Sequence, residues 1–135
     1  MLIDEGLTRS AIGAFYATYN KLGYGFLEPV YVGGLAIELG RRGHRVQREF
    51  AVPVLYDGVI VGSYRIDILV DDRLVIEVKA EAALTGVHER QLRNYLRCTN
   101  LEVGLILVFG VKPEFKRHIH TNNFKDHPRQ FPLHP

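Results

Sequence analysis

The chain has 135 residues, 47% of them hydrophobic and 24% charged, with a formal net charge of +2; this suits one globular domain, excludes a largely disordered chain and leaves room for only one core. No apolar run approaches the roughly 20 residues of a membrane-spanning helix, and the lone Cys98 excludes an internal disulfide and a cysteine-built metal site. The opening MLIDEGLTRS lacks the basic region and apolar core of a signal peptide, so the expectation is a cytoplasmic protein without a membrane partner.

From Leu7 to Leu22, apolar residues at Leu7, Ile12, Phe15, Tyr16, Tyr19 and Leu22 recur at helical spacing, which predicts a first helix with Thr8 as its N-cap. Gly23 and Gly25 favour a stop and a turn. Gly25-Phe26-Leu27-Glu28-Pro29-Val30-Tyr31 then opens a second helix running to about Arg42. Pro29 suits the first turn, where its missing N–H leaves nothing unpaired. Glu28 is thereby placed at a helix N-terminus, either favoured there by the helix dipole or serving as an acidic group aimed at the residues downstream. Gly33-Gly34 costs roughly 1 kcal/mol per glycine against alanine, so close packing against another backbone is expected.

Val46 to Tyr56 alternates irregularly around Pro53, as in an edge strand or at a bulge, and Asp57-Gly58 is a strong turn signal into Val59-Ile60-Val61. Gly62-Ser63 is expected to interrupt that strand. Tyr64 to Ala80 reads as a further hairpin. Period-2 alternation puts Ile66, Ile68, Val70, Leu74, Ile76 and Val78 towards the core and leaves Arg65, Asp67, Leu69, Val75, Glu77 and Lys79 on the opposite face. A turn at Asp71-Asp72-Arg73 pairs Val70 with Leu74 and sets Asp67 opposite Glu77. Side chains so opposed lie about 5 Å apart at Cβ, where two carboxylates repel, so a cation is expected between them. A hard divalent ion suits two carboxylates, and Lys79 is placed to orient or deprotonate a water bound to it. Exposed ion pairs, Asp67 with Arg65 and Glu77 with Lys79, are the plainer reading. The surrounding Val, Ile and Leu count against it, because lone charges in apolar surroundings are expensive.

A third helix is predicted from about His88 to Arg97, with Leu92 and Leu96 buried and His88, Gln91 and Tyr95 on one face. Gln91 and Tyr95 suit contact with a phosphate or a metal-bound water, while Tyr95 equally reads as a core aromatic with a wet hydroxyl. Val103 to Phe109 is a continuous apolar run, expected to form a central strand buried on both faces and reached by a helical crossover. Phe115 to Ile119 reads as a basic edge strand and 121–135 as a poorly ordered tail. His118, His120, His127 and His134 show no ligand spacing and read as surface residues. Basic groups gather at Arg41, Arg42, Arg45 and Arg48, at Arg90, Arg93 and Arg97, and at Lys112, Lys116 and Arg117. Each group suits a solvated face, and the three around one acidic site would make a phosphate track.

Asp67, then Glu77-Val78-Lys79, then Gln91-Leu92-Arg93-Asn94-Tyr95 resemble, in this order, the PD-(D/E)xK nuclease superfamily in its Q-x-x-x-Y branch. The upstream segment Gly25 to Tyr31 is similar to the motif of the small bacterial GxxExxY proteins. With VGLILVFG at 103–110 and EFKR at 114–117, the likeness spans roughly residues 7 to 120. It implies an α/β domain over residues 1–120 with a restriction-endonuclease-like core, a mixed central sheet flanked by helices. It further implies that Asp67, Glu77 and the backbone carbonyl of Val78 hold magnesium, or manganese, with Glu28 adding or orienting a ligand. Lys79 would position the attacking water, and Gln91, Arg93 and Tyr95 would bind the substrate backbone or brace the site. Two departures stand out: Asp67 follows Tyr-Arg-Ile instead of a proline, and Gly33-Gly34 interrupts the second helix. The implied activity is hydrolysis of phosphodiester bonds in nucleic acid, DNA above all, with a homodimer expected for cutting two strands. A catalytically inactive binding or assembly module of the same fold, and an unrelated hydrolase of small phosphate esters, are the competing readings.

Overall fold

In a computed structural model, which describes residues 4–125, the first two helical patterns form α1 (Glu5–Leu22) and α2 (Glu28–Arg41). α1 starts one turn before the position that a Thr8 cap predicts, because burying Leu7 requires the turn around it to be helical. Asp4 precedes that turn in the left-handed conformation (φ 52°), and Thr8 is buried within the helix with its N–H on the Asp4 carbonyl. Pro29 falls in the first turn of α2, as expected. The close approach expected at the glycine pair is made to side chains instead of backbone. A Cβ on Gly34 would lie 3.1 Å from Thr18 Cγ2 and 3.3 Å from Leu22 Cδ1, so the missing methyl lets the two helices pack.

Five strands follow in the order β1-β2-β3-β4-β5 across one sheet: β1 (Val46–Tyr56), β2 (Val59–Val70), β3 (Leu74–Lys79), β4 (Val103–Phe109) and β5 (Pro113–Ile119). All neighbours are antiparallel except β3 and β4, which α3 (Gly86–Cys98) joins as a parallel pair. The mixed α/β architecture expected above is therefore present. β4 lies between β3 and β5 with every residue buried, matching its unbroken apolar run. Pro53 sits in edge strand β1, where a missing donor is tolerated. Gly62 and Ser63 do not interrupt β2: they pair with Val54 and Pro53, and the irregularity falls between Val54 and Leu55. β3 pairs with β2 only through Ile68, Leu69 and Val70. The outer part of the β1–β2 hairpin thus extends past β3, with Tyr56, Val59, Ile60 and Val61 exposed at its end.

Two apolar layers sandwich the sheet. Phe15, Tyr31, Leu35 and Leu39 of α1 and α2 cover Ile68, Val70, Ile76, Val78, Leu105 and Leu107. On the other face, Leu92, Tyr95 and Leu96 of α3 cover Ile66, Leu69, Val75, Ile106 and Val108. Ile66 is therefore not on the face shared by Ile68 and Val70, contrary to strict alternation. The β1–β2 ladder pairs Arg48 with Ile68 and Phe50 with Ile66 but passes over Glu49 and Asp67, and Glu49 is left-handed (φ 51°). That local break lets β2 exchange its faces at Asp67.

The turn between β2 and β3 is left-handed at Asp71 (φ 52°) and Asp72 (φ 56°). Asp71 is held there by the Arg45 N–H at 2.8 Å and by His44 Nδ1 at 2.7 Å, and His44 Nε2 meets Ser10 Oγ at 2.7 Å. Serine, histidine and aspartate stand in the order of a hydrolytic triad. Ser10, however, lies inside α1, where neighbouring N–H groups are committed to the helix and leave no oxyanion donors. The chain is a tie between α1, the α2–β1 loop and the acidic hairpin. Burial pushes the Asp71 carboxyl up, but the Arg45 N–H and His44 together outweigh it and hold it below its ordinary value. A carboxylate lowered in this way contributes stability that is present at neutral pH and lost as pH falls through its folded pKa. Asp71→Asn is expected to lower unfolding free energy by about 1 kcal/mol at pH 7, and the gap from wild type should close below about pH 4 in urea titrations. A gap independent of pH would show that the charge is not what holds the turn.

Of the segment expected to be a disordered tail, residues 121–125 include a short helical turn, Asn122–Phe124, tied by the Asn122 N–H to Glu102 Oε2 and by Lys125 Nζ to the carbonyls of Thr99 and Leu101. Residues 126–135, including His127 and His134, lie outside the described residues. His118 is not a surface histidine: its side chain is 12% exposed and meets Glu89 Oε1 at 3.1 Å. Among the described residues no helix is long and apolar enough to cross a membrane.

Candidate functional site

Asp67 and Glu77 come together where the two ladders around β2 lapse. Pairing of β2 with β3 stops at Ile68–Ile76, one step before Asp67 would face Glu77. The register is the expected one, and the freed backbone binds the carboxylates instead. Val78 N–H donates to Asp67 Oδ2 at 2.7 Å, and the Asp67 N–H donates to the Glu77 carboxylate. Each acidic side chain is thus fixed by the main chain of the other strand.

Both carboxyls are pushed up from their ordinary values by burial. Asp67 is raised in spite of its bond from Val78 and the opposing charge of Lys79, and Glu77, which also feels the charge of Asp67, is pushed up to about 8. Two carboxyls within hydrogen-bonding reach cannot both ionise at neutral pH without a cation, so at pH 7 the pair keeps a proton. Glu77 Oε1 is buried and, among the described residues, has no hydrogen-bond partner. A buried carboxylate beside a second carboxylate suits a hard divalent ion, which takes oxygen ligands. The donor set therefore fits such an ion.

Lys79 lies two residues along β3 from Glu77, and its charge opposes the upward shift of both acids. Tyr95, on α3, is 4% exposed, and its hydroxyl is buried, without a partner among the described residues, instead of wet. Its ring meets Tyr64 of β2 edge-on. Burial, then the charge of Glu77, pushes both phenols up, which keeps them neutral donors beside the acid.

Glu28 does not join the two acids as a third member of one cluster. Among the described residues, no three His, Cys, Asp or Glu side chains come together to hold a metal ion. Glu28 instead lines a cavity of about 180 Å³ with Pro29, Val32, Arg48, Glu49 and Asp67, and its charge reaches Glu77. Like-charged carboxylates repel, which favours this spacing. Glu28 is held at the cavity mouth by the loop before it, because Tyr31 Oη donates to the Gly23 carbonyl at 2.8 Å and accepts the Phe26 N–H at 3.2 Å. Gln91 and Arg93 are exposed on α3; Arg93 lines a different cavity with Arg90, Asn94, Arg97 and His120. Sequence reasoning placed Arg48 only in a basic group and Tyr64 only at the head of the hairpin; no motif ties either to the acids, although Tyr64 was within reach of the alternation argument.

A family model described as the PD-(D/E)XK nuclease superfamily matches residues 5–118. No curated protein and no solved structure matches the chain.

Proposed function

Because the chain belongs to the PD-(D/E)XK nuclease superfamily, we propose that it is a divalent-metal-dependent nuclease that hydrolyses phosphodiester bonds of nucleic acid, DNA above all, at Asp67, Glu77 and Lys79. The observation that carries this reading is the buried, unpartnered Oε1 of Glu77 beside a second raised carboxyl in an otherwise apolar sheet. Burial disfavours two carboxylates side by side, whereas a metal-dependent phosphodiester-cleaving centre makes use of them. Asp67, Glu77 and the Val78 carbonyl would hold magnesium or manganese, with Glu28, which lines the adjoining cavity, orienting a ligand to it. When bound, the ion supplies Lewis-acid polarisation of the phosphoryl oxygen and lowers the pKa of water.

The side chains do the rest. Lys79 orients the attacking water and faces the negative charge that grows on the phosphate. Tyr95 and Tyr64 close the apolar side of Glu77 and exclude bulk water from it. Gln91 and Arg93 contact the substrate backbone from α3. The Gly25 to Tyr31 segment supports the narrower assignment to GxxExxY proteins, since Tyr31 fixes the loop that presents Glu28. A cytoplasmic setting and a homodimer belong to the same proposal. The test is cleavage of plasmid and labelled oligonucleotides with Mg²⁺ or Mn²⁺, with and without EDTA. Cleavage should need the cation and stop on chelation. Retained cleavage in EDTA, or no cleavage with either cation on any single- or double-stranded substrate, would sink the proposal.

A further inference from the structure

Arg90, Arg93 and Arg97 follow one another along α3, and at about 100° per residue they fall within roughly 60° of arc on its outer face. They are exposed, and among the described residues none of the three has an ion-pair partner. On other elements Arg9, Lys21, Arg41, Arg45, Arg65 and Arg73 each meet a carboxylate. The three arginines, with Asn94 and His120, line a cavity of about 260 Å³. Asn94 and Arg97 also line a second cavity, of about 210 Å³, whose other walls include Val52, Pro53, Tyr64 and Tyr95. A cationic surface and a largely apolar, aromatic slot therefore share two side chains. Tyr64 and Tyr95, which wall the slot, are the same rings that flank Glu77.

We propose that the outer face of α3 and the adjoining slot form the binding track for a single-stranded polynucleotide, whose phosphates lie on Arg90, Arg93 and Arg97 and one of whose bases enters the slot. This rests on the nuclease reading, since it names the substrate class of that same site. The arginines alone would serve a duplex equally well, because phosphates carry no strand information. The slot decides between them. A duplex keeps its bases stacked, whereas single strands offer unstacked bases to aromatic and apolar walls. The volume suits one planar base; it is well below the roughly 300–1,000 Å³ typical of pockets for larger ligands. Asn94, at the junction, has both a donor and an acceptor for a base edge.

Binding is measured in EDTA, so that nothing is cleaved, by fluorescence anisotropy of the full chain with 20-mer oligo-dT, 20-mer oligo-U and a 20-bp DNA duplex. At least one single strand should bind about 30-fold or more tighter than the duplex, and comparison of oligo-dT with oligo-U separates DNA from RNA. Replacing Arg90, Arg93 and Arg97 together by alanine, a good helix former, should weaken single-strand binding by about 30-fold or more. It should also flatten the plot of log affinity against log salt by about 2, near 0.7 for each lost phosphate contact. Cys98, the one cysteine of the chain, lines the slot, so its alkylation by N-ethylmaleimide reports on occupancy without any mutation. Saturating single strand should slow alkylation about tenfold, and duplex should not. Equal or tighter duplex binding, an unchanged salt slope, or alkylation at the free rate with oligonucleotide bound would each overturn the track. A chain that cleaves DNA and fails these tests loses the track alone; one that passes them and never cleaves loses the nuclease reading alone.

Discussion

Glu77→Gln is expected to raise the stability of the metal-free protein by about 2–4 kcal/mol above pH 8 while lowering cleavage by a factor on the order of 10³. Burial, with the charge of Asp67 added, pushes the Glu77 carboxyl from 4.5 up to about 8. The folded protein then holds a proton that the unfolded chain has already released. Stability consequently falls as pH rises between those two values, and the full penalty applies above the higher one. A gap of this size corresponds to at most 4–5 kcal/mol, and residual solvent contact reduces it. Glutamine carries no charge at any pH and avoids the penalty, but it cannot supply an anionic ligand. Denaturation in EDTA at pH 5, 7 and 9 should show the variant's advantage growing with pH. Added Mg²⁺ should raise the melting temperature of the wild type and leave the variant unmoved. Stability curves that run parallel across pH would show that the Glu77 carboxyl is not strained by burial.

Lys79→Ala is expected to lower single-turnover cleavage by about 10²–10⁴, with an accompanying shift that a purely structural role would not produce. The ammonium group pulls the titrations of both Asp67 and Glu77 downward. Without it the acids ionise later, so the acidic limb of the pH–rate profile moves to higher pH. Lys79→Arg keeps the charge and should leave that limb in place, while the rate still falls because a bulky planar guanidinium cannot hold the water where a compact ammonium does. Asp67→Ala should cost activity at least as heavily, since the Val78 N–H loses its acceptor together with the anionic ligand. Cleavage that persists in both alanine variants would belong to another site or another protein.

Period and turn chemistry made the acidic hairpin legible. The expected turn at Asp71 to Arg73 produces the observed pairing of Val70 with Leu74, and register follows from turn length without knowledge of the rest of the fold. The exchange of faces at Ile66 was not legible, because it depends on Glu49, a residue of another strand, taking a left-handed conformation. The tie from Ser10 through His44 to Asp71 joins residues far apart in the chain, and nothing local announces it. Thr8 shows the limit of cap rules: a good capping residue is overridden when burial extends the helix beyond it. Of the two readings of Tyr95, a group in contact with phosphate or metal-bound water and a core aromatic with a wet hydroxyl, the core position holds but the hydroxyl is buried; helical spacing gives the face of a side chain and not the depth of the element that covers it.

The hairpin that extends past β3 also divides the acidic pair mechanically. Backbone amides along the outer half of β2 have no third strand beside them, and its end exposes Tyr56, Val59, Ile60 and Val61. Such a segment exchanges its hydrogens by local opening, whereas β3, paired along its whole length with the buried β4, is held by the core and exchanges far more slowly. Asp67 stands at the hinge between these two regimes and Glu77 stands on the rigid side. One acid of the pair thus answers to the fluctuations of the ribbon, and the other to those of the globule.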